Sequence, residues 1–272
     1  MPINDKIAMP WRKISGLLAD KQSFVYFRKS KESEKDSIMP NPYFKFKQFT
    51  VYHDKCAMKV GTDGVLLGAW CAVNGARRIL DVGTGTGLIA LMAAQRSEAS
   101  ITALDIDAAA VEQARENCAA SPWAARIEVV PADFCNYRSD VLFDCIVSNP
   151  PYFVEDVHCP DKQRNMARHT AGLTFASLLE RAGALLSDTG RFSVVLPSVA
   201  VADFVYQALQ RNLYLSRRTQ VCTKSGVEPK RTLLEFSRVN ETCQESVLTI
   251  ETEHYKYTPE FTELVKDFYL YL

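Results

Sequence analysis

Asp81-Val82-Gly83-Thr84-Gly85-Thr86-Gly87 is the stretch that decides the fold. It follows a short β-type run, Arg77-Arg78-Ile79-Leu80-Asp81-Val82, and opens onto Leu88 to Arg96, which suits a helix. Glycines at such a strand-to-helix turn permit a tight turn and let a ligand approach the backbone closely. A dinucleotide loop is spaced G-x-G-x-x-G, and its third glycine would fall on residue 88, which is Leu88. A phosphate-binding P-loop needs Lys-Ser/Thr after the glycines, and none follows here. The spacing is G-x-G-x-G, with the acid Asp81 two residues before the first glycine.

Outward from this loop the pattern alternates between strand and helix. Ser100 to Ile106 reads as a second strand, and Asp107 is placed to cap a helix running to Ala120. Arg126 to Val130 and Leu142 to Ser148 are the third and fourth strands, the fourth apolar on both faces apart from Asp144. A helix over Phe175 to Leu186, a strand over Gly190 to Leu196 and a helix over Asp203 to Gln210 follow. Tyr214 to Val221 and Arg231 to Arg238 supply two more strands. Alternating strands and helices imply a doubly wound, mostly parallel α/β sheet, and near-continuous apolar strands imply cover on both faces.

Ligands in such sheets bind outside the carboxyl ends of the strands. Asp105, closing strand two, is placed to accept hydrogen bonds from ribose hydroxyls. Asp133 and Phe134 follow strand three, where a carboxylate accepts from an adenine amino group and an aromatic packs on the ring. With a glycine loop that does not suit a pyrophosphate, the set fits S-adenosylmethionine as cofactor.

Strand four ends in Ser148-Asn149-Pro150-Pro151-Tyr152-Phe153. Two prolines stiffen this backbone and remove two N–H donors while leaving their carbonyls free to accept. Asn149 offers a side-chain carbonyl and Tyr152 a flat face for stacking. The set suits a planar amine with two N–H donors, such as the exocyclic amine of adenine. Accepting one hydrogen on Asn149 Oδ1 and the other on the Pro150 carbonyl favours a more pyramidal nitrogen and frees its lone pair toward a sulfonium methyl. Asn149, Pro150 and Tyr152 are therefore the candidate catalytic residues, with Asn149 also on the cofactor side and Pro151 and Phe153 facing the substrate. Isolated in a random loop, the same tetrapeptide would be a rigid turn with a capping asparagine.

Composition bounds the rest. The chain has 272 residues, 47% hydrophobic and 24% charged, which is ordinary globular usage. No apolar run approaches the ~18–20 residues of a membrane span. Met1-Pro2-Ile3-Asn4-Asp5-Lys6 lacks the apolar stretch and cleavage site of a secretory signal. The 8 cysteines have no CxxC pair, and several sit in apolar segments, so reduced, mostly buried thiols in a cytoplasmic protein are expected. His158 beside Cys159 lacks further ligands, and no metal is expected. Arg28 to Ser37 is charged without one apolar residue. Residues 1–40 therefore read as a flexible N-terminal extension, dispensable if translation begins at Met39, and 41–272 as one domain in which 41–76 forms a lid segment.

The glycine loop and Asn-Pro-Pro-Tyr together resemble the class I S-adenosylmethionine-dependent amino-methyltransferases. Phe44-Lys45-Phe46-Lys47-Gln48-Phe49, then His53-Asp54-Lys55-Cys56-Ala57-Met58-Lys59-Val60-Gly61-Thr62-Asp63-Gly64, narrow this. They are similar to the N-terminal signature of the bacterial tRNA1(Val) adenine N6-methyltransferases, as are Ser121-Pro122-Trp123-Ala124 and Phe268-Tyr269-Leu270. The resemblance covers residues 41 to 272 and implies a Rossmann-like sheet of seven strands. It implies methylation of N6 of the adenosine 3′ of the anticodon in a valine tRNA; a monomer is expected separately, and the sequence itself does not fix the oligomeric state. It also implies a segment before strand one that closes over the cofactor, with Lys59, Thr62 and Asp63 beside it. Asp81, Gly83, Gly85, Gly87, Asp105, Asp133 and Phe134 complete the implied cofactor shell.

Basic residues interleaved with aromatics in the lid suit single-stranded RNA. Lys45 and Lys47 are either RNA contacts or the solvated face of an edge strand. Arg164, Arg168 and His169, beyond the active-site strand, are placed to grip phosphates or flank the base. Two other functions share the tetrapeptide. A release-factor glutamine methyltransferase carries a substantial helical domain before its sheet, and a DNA adenine methyltransferase typically needs a larger base-reading domain. A silent RNA scaffold would not need an intact Asn149-Pro150-Pro151-Tyr152.

The 32 basic and 32 acidic residues cancel, which argues only against a uniformly basic surface. Residues 1–60 and 160–240 each hold 12 basic and 6 acidic residues, and they flank an acidic cofactor half. These basic segments are expected to converge near Asn149.

Overall fold

The computed structural model describes residues 41–56, 58–151, 173–253 and 256–272. A two-stranded hairpin, β1 (Tyr43–Lys45) and β2 (Thr50–Tyr52), precedes α1 (Thr62–Trp70). The glycine loop then joins β3 (Arg78–Val82) to α2 (Leu88–Arg96). β4 (Ser100–Asp105), α3 (Ala108–Ala119), β5 (Ile127–Pro131) and β6 (Phe143–Ser148) follow. The second half runs α4 (Phe175–Leu185), β7 (Leu186–Pro197), α5 (Val201–Leu209), β8 (Tyr214–Lys224), β9 (Arg231–Ser237), β10 (Gln244–Glu253), β11 (Lys256–Tyr257) and α6 (Pro259–Val265).

One sheet carries nine strands in the order β11-β10-β8-β9-β7-β6-β3-β4-β5, two more than the seven expected. The additions are β10, which runs parallel to β8, and the short β11. The sequence signal for β10 was weak because it is an outer strand rich in charge. Val247 stands 62% exposed beside Leu248 at 7%, so only one face carries an apolar pattern. The sheet is mostly parallel, and the exceptions are β9, antiparallel to both β7 and β8, and β11, antiparallel to β10.

Strand periodicity sorts side chains into two cores. Along β3 and β6, Ile79, Cys145 and Val147 face a core built with α1, α2, the hairpin and α6. Leu80, Val82 and Ile146 face the other, built with α4 and α5. This is why those strands read as continuous apolar runs. Helix α2 is buried from Leu88 to Ala94, with α1 packed on it, whereas α5 is apolar on one side only.

The hairpin is pinned by aromatics. Phe46 stacks on Phe49 at 4.6 Å between centroids, and Phe49 meets Trp123 edge-on at 5.8 Å. Phe46 also lies against Tyr269, so the Trp123 and Phe268-Tyr269 segments serve as the hairpin's seat. At the other end of the molecule Phe204 is fully buried, 4.9 Å from Phe175 and 5.7 Å from Phe236. Phe204→Ala should lower the unfolding free energy by ~3–5 kcal/mol, read as a fall in urea midpoint at constant m-value. A loss below about 1 kcal/mol would mean the second core collapses around the cavity.

Candidate active site

The carboxyl ends of the parallel strands form the site, and the glycine loop is its floor. Gly83, Gly85 and Gly87 all take left-handed φ, at 70°, 55° and 81°, which side chains of L-residues rarely adopt. A Cβ built on Gly83 or Gly85 meets nothing within 4 Å, so both open onto free space. At Gly87 a Cβ would press on Cys118 Sγ and Ala114 at 3.3–3.4 Å, so that glycine serves close packing against α3.

Two acids hold the loop. Asp81 Oδ2 accepts from Thr84 Oγ1 at 2.6 Å and from the Ala90 N–H at 3.2 Å. Its other oxygen is buried without a hydrogen-bond partner. Burial pushes the Asp81 carboxyl up to about 7, against the pull of those two donors. Asp105 Oδ2 accepts from the Gly85 N–H at 2.8 Å and Oδ1 from the Asp107 N–H at 3.0 Å.

A cavity of about 280 Å³ brings together Gly83, Gly85, Asp105, Asp133, Asn149 and Pro151. Phe134 reaches its wall, but the ring is 5% exposed and belongs mainly to the α4–α5 core. The Asp133 carboxylate accepts from the Cys135 N–H at 2.9 Å and from Asn136 Nδ2 at 2.7 Å, each oxygen retaining a further lone pair. Asn149 is half-buried, Pro150 buried and Pro151 exposed. Sequence reasoning missed Cys56, Met58, Ile106 and Leu173 on the wall. Ile106 carried a signal, since it follows the acid of strand two and stands 68% exposed. The Cys56 thiol is pushed up to about 11 by burial, with Asp105 and Asp107 adding to the effect.

The residues before β3 divide. Thr62 and Asp63 open α1, and a Cβ on Gly64 would lie 4.0 Å from Asn149 Nδ2, so this helix start sits beside the strand-four end. Asp63 pairs with Arg231 Nε at 2.8 Å, so its carboxylate is held by β9. Lys59 is exposed and does not line the cavity. Lys55 anchors the wall segment to α3 through Glu112 at 2.6 Å and Glu116 at 2.7 Å. Asn117, which the sequence did not single out, accepts from the Tyr52 N–H and donates to both the Tyr52 and Thr86 carbonyls. One buried amide thus ties the hairpin to the glycine loop.

Lys47 is exposed; its ammonium donates to the Lys266 carbonyl at 2.5 Å and its N–H to the Phe268 carbonyl at 2.8 Å, so it also fastens the C-terminal turn. Lys45 is exposed on β1. Tyr152, Phe153, Arg164, Arg168 and His169 lie outside the described residues. Many of the basic residues expected to converge near Asn149 lie outside the described residues as well; within 173–240 the arginines make internal contacts, among them Arg191 with Glu241 and Arg217 with Glu235.

The sheet, glycine loop and strand-end acids define a methyltransferase of the class I fold. A family model described as the methyltransferase small domain matches residues 56–220. Among solved structures, a predicted O-methyltransferase from Agrobacterium tumefaciens has the same fold, with a TM-score of 0.59 at 23% identity over 76% of this chain and 96% of that one. A tRNA1(Val) (adenine(37)-N6)-methyltransferase of Phocaeicola vulgatus is 58% identical over 232 residues, covering 85% of this chain and 99% of the relative. Proteins of that name from Bacteroides thetaiotaomicron, 56% identical over 86% of this chain and all of theirs, and Pasteurella multocida, 48% identical over 84% of this chain and 96% of theirs, extend the match. The chain is an enzyme that belongs to the tRNA1(Val) (adenine(37)-N6)-methyltransferase family.

The Asp81 carboxyl makes stability depend on pH. Its folded value near 7 lies above the unfolded value of ~3.9, so its stabilising share is full below pH ~4 and is lost as pH rises toward 7. In ligand-free protein, the wild type should lose unfolding free energy relative to Asp81→Asn across that window, and the difference should stop changing above it. Urea unfolding at a series of pH values measures this, and a constant difference would show that the carboxyl is ionised throughout.

Proposed function

We propose that this enzyme transfers a methyl group from S-adenosylmethionine to N6 of adenosine 37, the nucleotide 3′ of the anticodon, in valine tRNA in the cytoplasm. The observation that carries the reading is the single cavity lined both by the glycine loop with Asp105 and Asp133 and by Asn149 and Pro151. It places groups suited to a nucleoside cofactor next to groups suited to an amine. The names of the relatives support the RNA substrate and the adenine position.

The residues present fit the cofactor. Gly83 and Gly85 form a cradle that any Cβ would fill, and the partnerless Asp81 oxygen beneath the loop is a buried acceptor. Gly83, Gly85 and Gly87 shape the loop, with Asp81 setting its geometry. Asp105 accepts from ribose hydroxyls, and Asp133 with Phe134 and Ile106 borders the adenine. Thr62 and Asp63, at the start of α1, border the side facing Asn149, and Lys59 lies at the outer margin. Bound there, S-adenosylmethionine supplies an electrophilic methyl carbon on a sulfonium.

The chain positions the acceptor. Asn149 Oδ1 and the Pro150 carbonyl take the two amine hydrogens and turn the nitrogen lone pair toward the cofactor. Pro150 cannot donate, so the backbone offers the amine an acceptor without a competing N–H. A neutral asparagine suffices, because the amine sheds its proton only after it has been methylated. Orientation of this kind supplies up to ~7–11 kcal/mol of a barrier. Tyr152 and Phe153 are assigned to stacking on the base from their sequence position, a contact worth ~1–3 kcal/mol. Pro151 faces the entering nucleotide. Arg164, Arg168 and His169 are assigned to the RNA by the same positional argument, and Lys45 to the outer face of the hairpin.

Labelled methyl transfer to total RNA, DNA and protein, followed by nucleoside mass spectrometry, tests the reaction. The expected product is N6-methyladenosine in valine tRNA, whereas label in DNA or a release factor would end the reading. Asn149→Ala should lower kcat by about 10³-fold or more while cofactor Kd, measured by calorimetry, changes less than about threefold, a barrier change of about 4 kcal/mol. A collapse of cofactor affinity instead would reassign Asn149 to cofactor binding.

A further inference from the structure

We propose that the turn between β8 and β9, through Lys224 and Lys230, is a docking ledge for the phosphate backbone of the RNA substrate. The inference rests on the RNA reading above and names the surface that receives the RNA.

Strand direction puts this turn at the mouth. β7 is parallel to β6, so Pro197 lies on the same end of the sheet as Ser148 and Asn149. Arg231, the first residue of β9, is the register partner of Pro197, and Val221 near the end of β8 is the partner of Arg231. The turn from Lys224 to Lys230 therefore projects beyond the site end of the sheet. A continuous path leads back to the catalytic strand. Lys230 precedes Arg231, which holds Asp63 at 2.8 Å, and the Gly64 position beside Asp63 lies 4.0 Å from Asn149 Nδ2. The Ser198 N–H donates to the Lys230 carbonyl at 3.2 Å, fixing the turn to the end of β7.

The cofactor groups occupy the other half of the crevice, over β3, β4 and β5. The RNA running away from a base held at Asn149 then has the β7–β9–β8 half open to it. Charge agrees with this. The described part of residues 173–240 holds seven arginines and two lysines, and each arginine donates to a carbonyl or a carboxylate of the protein. Lys224 and Lys230 are the two left without a side-chain partner among the described residues. Glu251 is opposite Lys224 in register, yet the two form no ion pair, and Glu228 in the turn is likewise unpaired. Exposed Val199 and Val227 give the ledge an apolar surface between its cations. Ammonium groups without a partner among the described residues suit phosphates, which they meet as point charges without reading sequence.

The test is the double variant Lys224→Ala/Lys230→Ala, assayed for valine tRNA affinity from about 50 to 200 mM salt. Each lost phosphate contact lowers the slope of log affinity against log salt by about 0.7–0.9, so a drop of about 1.5 is expected. KM for tRNA should rise at least fivefold with kcat within twofold, cofactor Kd should stay unchanged, and the double arginine variant should restore the slope. Lys256→Ala, on β11, should leave the slope alone. An unchanged slope in the alanine variant, with the wild type methylating tRNA, would overturn the ledge and leave the function standing. A wild type that neither binds nor methylates tRNA would overturn the functional reading and the ledge together.

Discussion

The structure hangs on the turn between β3 and α2, where three glycines in left-handed conformation are held by two carboxylates. Asp81 pulls Thr84 and the Ala90 N–H onto one oxygen, and Asp105 takes the Gly85 N–H. Neither anchor comes free. Asp81 is fully buried, and burying a carboxylate that lacks a full set of donors costs several kcal/mol unless it takes up a proton or meets a new donor. Its raised titration point is the expression of that cost. A loop held this way is pre-organised before any ligand arrives, its left-handed turns taken by glycines that adopt them without steric cost.

The same loop organises its surroundings. Asn117 hydrogen-bonds to the Thr86 carbonyl and to both the N–H and the carbonyl of Tyr52, so the hairpin, α3 and the glycine floor are tied together. Lys55 adds two carboxylate contacts on the surface of α3, each worth little in water. On the other side α1 is fixed to the β8–β9 half of the sheet. Arg217 stacks 3.7 Å over Trp70, donates to the Trp70 carbonyl and pairs with the buried Glu235 at 2.8 Å. A pair this enclosed adds little net stability over an apolar substitute, but it sets one position for α1 against β8 and β9. Through Gly64 that position is also the position of the helix start beside Asn149. The geometry at the end of β6 thus depends on contacts at both ends of α1.

Much of this was legible in the sequence. The glycine spacing, the acids closing strands two and three, and the prolines closing strand four are local features. Each is a strand-end residue whose place follows from chain order once the sheet is known to be parallel. Strand ten was not legible, because an outer strand covered on one face carries half an apolar signal and this one is also heavily charged. Asn117 and Lys55 were not legible either. A polar residue in a helix reads as solvated until something is known to pack on it.

Lys47 shows the limit most clearly. Lys45 and Lys47 share one short aromatic segment, Phe44-Lys45-Phe46-Lys47-Gln48-Phe49, and the arrival of the C-terminal turn offers a carbonyl to the second. The sequence by itself determined the fold class, the cofactor-type loop and the identity of the residues at each strand end, because period, glycine placement and proline placement act within a few residues. The tertiary structure alone decided which of the charged residues are free. Whether an arginine or lysine is spent on a carboxylate or left to a ligand depends on partners tens to hundreds of residues away, as Asp63 and Arg231 are, and no local pattern records them.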